Sequence, residues 1–256
     1  MITPTMKPSL KLLTALLLAP LATLAAQDTP PVMRWDFGAE DTTKLAPKGD
    51  VQRDAPGPRP PEFPDFEPGN TAVKLGGNGA RLVVHDTGAD SGLDFTNGDT
   101  ITLEGWVRLD EIKSGAALYV IGKGRTGAAG FAPDNQNWAL RLRERAGLAC
   151  VDFLFATVPP SGVKKSAAHW HRWTAESGFF PQSGWHHVAV SYRFGEPESL
   201  HAWLDGMPQK GAWDMGGATK EPPVVDDDAV WIGSSQGGLA SASLRGSVDA
   251  VAGREV

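Results

Sequence analysis

What the sequence has little of sets its first limits. Cys150 is the only cysteine, so no intrachain disulfide can form and the fold must hold by packing alone. Basic side chains are the minority: 24 Lys and Arg stand against 30 Asp and Glu, a formal charge of −6 with histidines neutral. No dense basic run appears beyond pairs such as Lys164-Lys165. The counterion-releasing surface of a nucleic-acid binder is therefore missing, and no nucleic-acid partner is expected. Long apolar runs are scarce too. Residues 12–24 form the one extended stretch, and its 13 residues are too short for a span of roughly 30 Å at about 1.5 Å per residue, so no membrane anchor is expected.

That short run has a different reading. Lys7 and Lys11 precede it, Ala25-Ala26 end it, and the polar Gln27-Asp28-Thr29-Pro30-Pro31 follows, which is the layout of a secretory signal peptide. Residues 1–26 are expected to be removed and the product to be secreted or periplasmic, starting near Gln27. The expected domain fills residues 27–256.

Gly and Pro, by contrast, are abundant, with 30 and 20 copies and no collagen-like period, which implies many turns between short strands. Beyond the signal region no 3.6-residue apolar period persists over three turns. Strand-like runs recur instead, at 32–37, 72–75, 80–84, 100–108, 117–123, 138–143, 148–155, 185–193, 199–205, 229–233 and 243–251, so the fold class is all-β. Ile101, Leu103 and Val107 alternate with Thr102, Glu104 and Arg108, the signature of a strand buried on one face; Trp106 interrupts the polar side. Asp205-Gly206 between apolar segments predicts a two-residue hairpin turn. Two stretches read as irregular. Residues 47–68 carry seven prolines and predict an extended surface connection, and residues 157–184 predict a long insertion of the kind that often carries function.

Five segments from Thr102 onward carry a family resemblance: Thr102-Leu103-Glu104-Gly105-Trp106-Val107, Gly184-Trp185-His186-His187-Val188-Ala189-Val190-Ser191-Tyr192, Trp203-Leu204-Asp205-Gly206, Val230-Trp231-Ile232-Gly233-Ser234 and Leu244-Arg245-Gly246-Ser247-Val248-Asp249. Their order resembles the laminin-G-like jelly roll of the concanavalin A-like lectin/glucanase superfamily, from about Val32 to the C-terminus. The resemblance implies a two-sheet antiparallel sandwich with variable rim loops, binding carbohydrate or protein and often calcium. It also implies that the Arg34-Trp35-Asp36-Phe37 strand lies near the closing strand. The family's closing strand commonly runs on past Gly253-Arg254-Glu255-Val256, so the expectation is either a truncated product or one module of something longer.

Some superfamily members are retaining glucanases, whose two carboxylates stand about 5–5.5 Å apart. Glu104 has Trp106 and Arg108 where strand-borne partners would sit, so a glycoside hydrolase ranks third among the functional readings. Gly233-Ser234-Ser235-Gln236-Gly237 matches a nucleophile elbow, but no helical pattern follows it. His186 and His187 are sequence neighbours on a strand and point to opposite faces, which excludes a shared zinc. Calcium is the expected metal, from Asp134, Asn135 and Asn137 or from Asp226, Asp227 and Asp228, with solvated turns the competing reading for both clusters. Trp170, Trp173 and Trp213 lie in expected loops, and with His169 and His171 they form the expected ligand-binding group. The chain thus reads as an exported, non-catalytic module for a glycan or another extracellular ligand, assisted by calcium. The alternative is a structural or protein-interaction module of a larger exported protein.

Overall fold

The computed structural model describes residues 33–37, 45–88 and 91–255. The expected signal peptide lies outside them. Among the described residues no helix is long and apolar enough to cross a membrane.

Among the described residues sixteen strands run in chain order: β1 (Met33–Trp35), β2 (Ala46–Lys48), β3 (Val51–Pro56), β4 (Thr71–Gly76), β5 (Arg81–Val84), β6 (Thr100–Leu109), β7 (Ala117–Lys123), β8 (Trp138–Arg145), β9 (Leu148–Ala156), β10 (Trp170–Phe179), β11 (His186–Arg193), β12 (His201–Leu204), β13 (Met207–Pro208), β14 (Gly211–Met215), β15 (Val230–Ile232) and β16 (Arg245–Glu255). They form two antiparallel sheets. The first has the order β13-β12-β11-β6-β16-β4-β3, with β1 also on β16, and the second has β14-β10-β9-β8-β7-β15-β5-β2. One core joins the inner faces, with Ile101, Leu103, Val107, Val188 and Val190 of the first sheet packed against Leu140, Leu142, Val151, Phe153 and Phe155 of the second. This is the expected all-β sandwich.

Alternation sets the register. In β6 half-buried and buried positions alternate along all ten residues, which turns Thr102, Glu104, Trp106 and Arg108 outward. β16 has β6 along one edge; β4 pairs with its first half and β1 with its second, through Met33↔Gly253 and Trp35↔Val251, as the resemblance implied. Asp205 and Gly206 take φ of 52° and 74° between β12 and β13, the left-handed pair that the predicted turn requires.

Two expectations need correction. Residues 47–68 are not one extended connection, since β2 and β3 pair with β5 and β4 and only the stretch after Pro56 is irregular. Residues 157–184 are not an irregular insertion, because β10 is a ten-residue strand between β9 and β14. Its inward side chains include the buried Trp173, Ala175 and Phe179. The strand carries no apolar–polar alternation, since inward His171 and Trp173 alternate with outward Trp170, Arg172 and Thr174.

Candidate functional site

On the outer face of the second sheet, register lines up one row of side chains across five strands: Tyr119 of β7, Arg141 of β8, Asp152 of β9, Thr174 of β10 and Ala212 of β14. Directly opposed residues lie about 4.5–5.5 Å apart at Cβ, so Arg141 and Asp152 meet without rearrangement. Arg141 Nε donates to Asp152 Oδ1 at 2.6 Å, and Thr174 Oγ1 donates to Asp152 Oδ2 at 3.0 Å. The aspartate is fully buried and Arg141 nearly so, at 5% side-chain exposure. Arg172 lies 3.8 Å from Asp152 and donates to Asp214 Oδ1 of β14 at 2.6 Å. The Asp152 carboxylate and the Tyr119 oxygen hold the Arg141 guanidinium above its ordinary pKa against the opposing cost of burial.

A groove of about 530 Å³ runs over this row, within the roughly 300–1,000 Å³ of small-ligand clefts. Arg125, Arg141, Arg143, Arg172 and Trp170 line it. The Trp170 indole carries two cations, with the Arg125 guanidinium 4.6 Å and Lys165 Nζ 5.1 Å from the ring centroid. Arg143, one row along, makes no hydrogen bond or ion pair among the described residues; burial first, then the neighbouring Arg172, lower its pKa.

Of the five expected ligand-binding residues, only Trp170 lines this groove. His171 is buried, 5.2 Å from Phe155 between ring centroids, and its Nδ1 lies 2.9 Å from the Gly217 carbonyl; burial pushes its pKa down. Trp173 is in the core and Trp213 packs against Phe155 and Tyr192. Gly211 makes this possible, for a Cβ there would fall 2.3 Å from the Trp173 ring. His169 closes a single turn, its Nδ1 accepting from the Ser166 backbone N–H at 3.1 Å.

The expected calcium ligands divide three ways. Asp134 faces Lys165, 3.7 Å away. Asn135, Asn137, Asp226 and Asp228 close on one another: Asn135 Nδ2 donates to Asp226 at 2.6 Å and to Asp228 at 3.1 Å, and Asn137 Nδ2 donates to Asp226 at 3.0 Å. Both amide oxygens accept backbone N–H groups, of Arg125 at 2.6 Å and of Asp226 at 3.0 Å. With amide donors on the carboxylates, this network does not fit a calcium cage of six to eight oxygens. It fixes instead the turn that carries Arg125 over Trp170. Asp227 belongs elsewhere, in a trio with Asp86 and Asp94 whose ligand atoms lie within 4.8 Å. The fully buried Lys123 ammonium contacts Asp86 and Asp94, so a cation already sits there.

The outer face of the first sheet is different. A cavity of about 690 Å³ is lined by carboxylates including Glu62, Glu67, Glu104 and Asp249, with Trp106 and His187. His187, Trp106 and Asp249 share one cross-strand row. Phe63 and Phe66, from the irregular stretch after β3, meet Trp106 edge-on at 5.1 and 5.3 Å, which explains the tryptophan interrupting the polar side of β6. Asn70 Nδ2 ties that stretch to Asp249 at 2.6 Å, and burial raises Asp249 to about 6. His187 Nε2 lies 3.4 Å from Glu104.

Two further readings are settled by burial. Cys150 is fully buried and its thiol is pushed up by desolvation, which makes it the small core residue expected. Ser235 of the elbow-like motif is buried, its hydroxyl donating to the Gly124 carbonyl at 3.4 Å, and only a short 3-10 turn follows.

Residues 77–252 match a laminin-G family model described as the concanavalin A-like lectin/glucanases superfamily. Among solved structures, endo-β-1,4-glucuronan lyase from the fungus Trichoderma reesei is 12% identical, with 89% of this chain and 96% of that one covered and a TM-score of 0.51. Domain 4 of AbnA, a GH43 extracellular arabinanase from Geobacillus stearothermophilus, in complex with arabinotriose, is 14% identical, with 81% and 76% covered and a TM-score of 0.48. Against Trypanosoma rangeli sialidase, 15% identical with a TM-score of 0.42, 73% of this chain aligns with only 26% of the other. The likeness to the lyase shows the fold. A comparison with curated proteins finds no match.

Proposed function

We propose, for a chain that belongs to the concanavalin A-like lectin/glucanases superfamily, that it acts as an exported, non-catalytic glycan-binding module whose site is the groove on the second sheet. Export rests on the signal-type layout of residues 1–26. The observation that carries the binding reading is an open groove with Trp170 on its wall and hydrogen-bond donors fixed from below by Asp152 and Asp214. A sugar ring is recognised by an apolar edge flanked by convergent polar groups, and donors already held by partners within the sheet need little reordering on binding. The same bonds support the non-catalytic reading: Asp152 and Asp214 are engaged by arginines, and no other carboxyl among the described residues stands poised for proton transfer at the groove.

A glycan array with Trp170→Ala beside the parent tests this. Losing an aromatic anchor should weaken binding by about 1–3 kcal/mol. Unchanged glycan binding by Trp170→Ala would remove the groove as the site.

A hydrolytic reading is favoured by one observation alone, the cavity over Trp106 with Asp249 at about 6 beside Glu104 and His187. Release of new reducing ends from a glycan, abolished by Asp249→Asn, would select it over the binding module.

A further inference from the structure

We infer that the groove selects an anionic glycan, a chain bearing carboxylates or sulfate esters. This rests on the binding reading above and narrows it to one ligand chemistry. Four guanidinium groups converge on one groove of a chain whose overall charge is −6, so the local sign runs against the whole. Two of the four are matched within the protein, Arg141 by Asp152 and Arg172 by Asp214. Neither of the other two has an acid in direct contact, and for Arg143 the pull of Asp152 and Asp214 falls short of burial and the neighbouring Arg172. Arg143 is half-buried without a hydrogen bond or ion pair among the described residues, and Arg125 holds only a 3.5 Å contact to the Tyr119 hydroxyl and its seat on Trp170. Its Nε is buried with no acceptor.

A half-buried cation beside other cations is costly, and a ligand anion removes that cost by taking the place of the missing partner. The lowered pKa of Arg143, driven by burial and then by Arg172, agrees with such an unmet demand. The guanidinium fork matches the paired oxygens of a carboxylate or a sulfate, which an ammonium would meet only as a point charge. Placement on β8, with Arg141 locked by Asp152 two residues before, gives the Arg143 backbone a rigid base. Arg125 is positioned by the Asn135 and Asp228 network, so both unmatched cations are presented by ordered structure.

The experiment titrates the purified full chain, by calorimetry, with four probes: a glucuronic acid oligomer, a sulfated oligosaccharide, a neutral glucan oligomer and single-stranded DNA. Binding of either anionic oligosaccharide, falling with added salt and falling a further ten- to hundredfold or so in Arg143→Gln, supports the inference, and the two arms tell carboxylate from sulfate. An unchanged melting temperature shows that Arg143→Gln is folded, and Arg143→Lys should restore only part of the affinity. Neutral glucan bound equally well, with Trp170→Ala sensitivity and no effect of Arg143→Gln, overturns the anionic inference and leaves the binding reading standing. No glycan bound at all overturns both. Tightest binding to the DNA replaces the glycan with a polyphosphate ligand and overturns the inference.

Discussion

The two outer faces of this sandwich are built by one rule and end with opposite chemistry. On each, strand alternation and register lay a row of side chains across neighbouring strands: Tyr119, Arg141, Asp152 and Thr174 on the second sheet, His187, Trp106 and Asp249 on the first. On the second sheet the one buried acid, Asp152, is matched to Arg141 within the row, and the surplus is positive. On the first, aromatic rings from the stretch after β3 cover the central tryptophan, and the surplus is negative. One face is held together by charge pairing, the other by aromatic packing beside a carboxyl whose pKa burial raises to about 6. Perturbing one face should therefore leave the other intact.

The largest effect is expected on the second sheet. Arg141→Met removes the close ion pair of the buried Asp152 carboxylate and leaves it Thr174 and the more distant Arg172 at 3.8 Å, which should cost about 3–5 kcal/mol in urea unfolding. The double variant Arg141→Met with Asp152→Leu should recover most of that loss, because the penalty lies in the unpaired charge. Full loss in the double variant would mean that the row is held by shape.

The second effect is on the first sheet and depends on pH. The carboxyl of Asp249 is raised to about 6, chiefly by burial, against the lowering hydrogen bonds from Asn70 and the Ala250 backbone N–H. The folded chain therefore holds this proton more tightly than the unfolded chain. The contribution is complete below the ordinary carboxylate range and is lost as pH rises through about 6, for a total of about 2–3 kcal/mol. Asp249→Asn should accordingly be more stable than the parent above pH 7, with the gap closing toward pH 4. Equal pH profiles for the two chains would show that the carboxyl is not buried in solution.

Much of the fold was legible in the sequence, and the reason is local. The reading of 117–123 coincides with β7, because an apolar run between turn signals needs no knowledge of its neighbours. The Asp205-Gly206 turn and the alternation of β6 are local in the same sense. β10 was missed because Trp, His and Arg all have an apolar body and a polar tip, so inward and outward residues look alike in composition. The groove was illegible for a second reason. Arg125, Arg141, Arg143 and Arg172 come from separate segments, and a search for contiguous basic runs cannot find a cluster created by register. The usable signal was Arg141 and Arg143 two apart on a predicted strand, which puts both on one face. Of the expected site only Trp170 lines the groove. The acidic and amide residues expected to bind calcium include several that do meet, but as donors and acceptors for one another.

A smaller effect is expected from the aromatic cover of the first sheet. Phe63→Ala removes one of two edge-on contacts to Trp106 and should cost about 1 kcal/mol, since such pairs contribute about 0.5–1.5 kcal/mol beyond buried area. Affinity of the second-sheet groove should not change. A parallel loss of glycan affinity would show that the two faces are coupled through the core.

The smallest expected effect is that of calcium, and it bears on the second-sheet groove through the network that holds Arg125. An ion that binds the folded chain alone raises its stability by mass action, by about 2.7 kcal/mol at a hundredfold excess over its dissociation constant. The amide groups of Asn135 and Asn137 donate to Asp226 and Asp228, so an ion entering there must first break those bonds, and each oxygen it took would strand an amide donor. At the trio of Asp86, Asp94 and Asp227 it would have to displace the buried Lys123 ammonium, leaving a second positive charge without its acids. Neither exchange offers a net gain, so melting temperatures in millimolar calcium and in chelator should agree. An upward shift in calcium would overturn this reading, and its source could be traced. Loss of the shift in Asp227→Asn would assign it to the trio around Lys123, whereas loss in Asp226→Asn would show that the amide network opens to admit the ion and that the Arg125 turn, and with it the charge of the groove, is under calcium control.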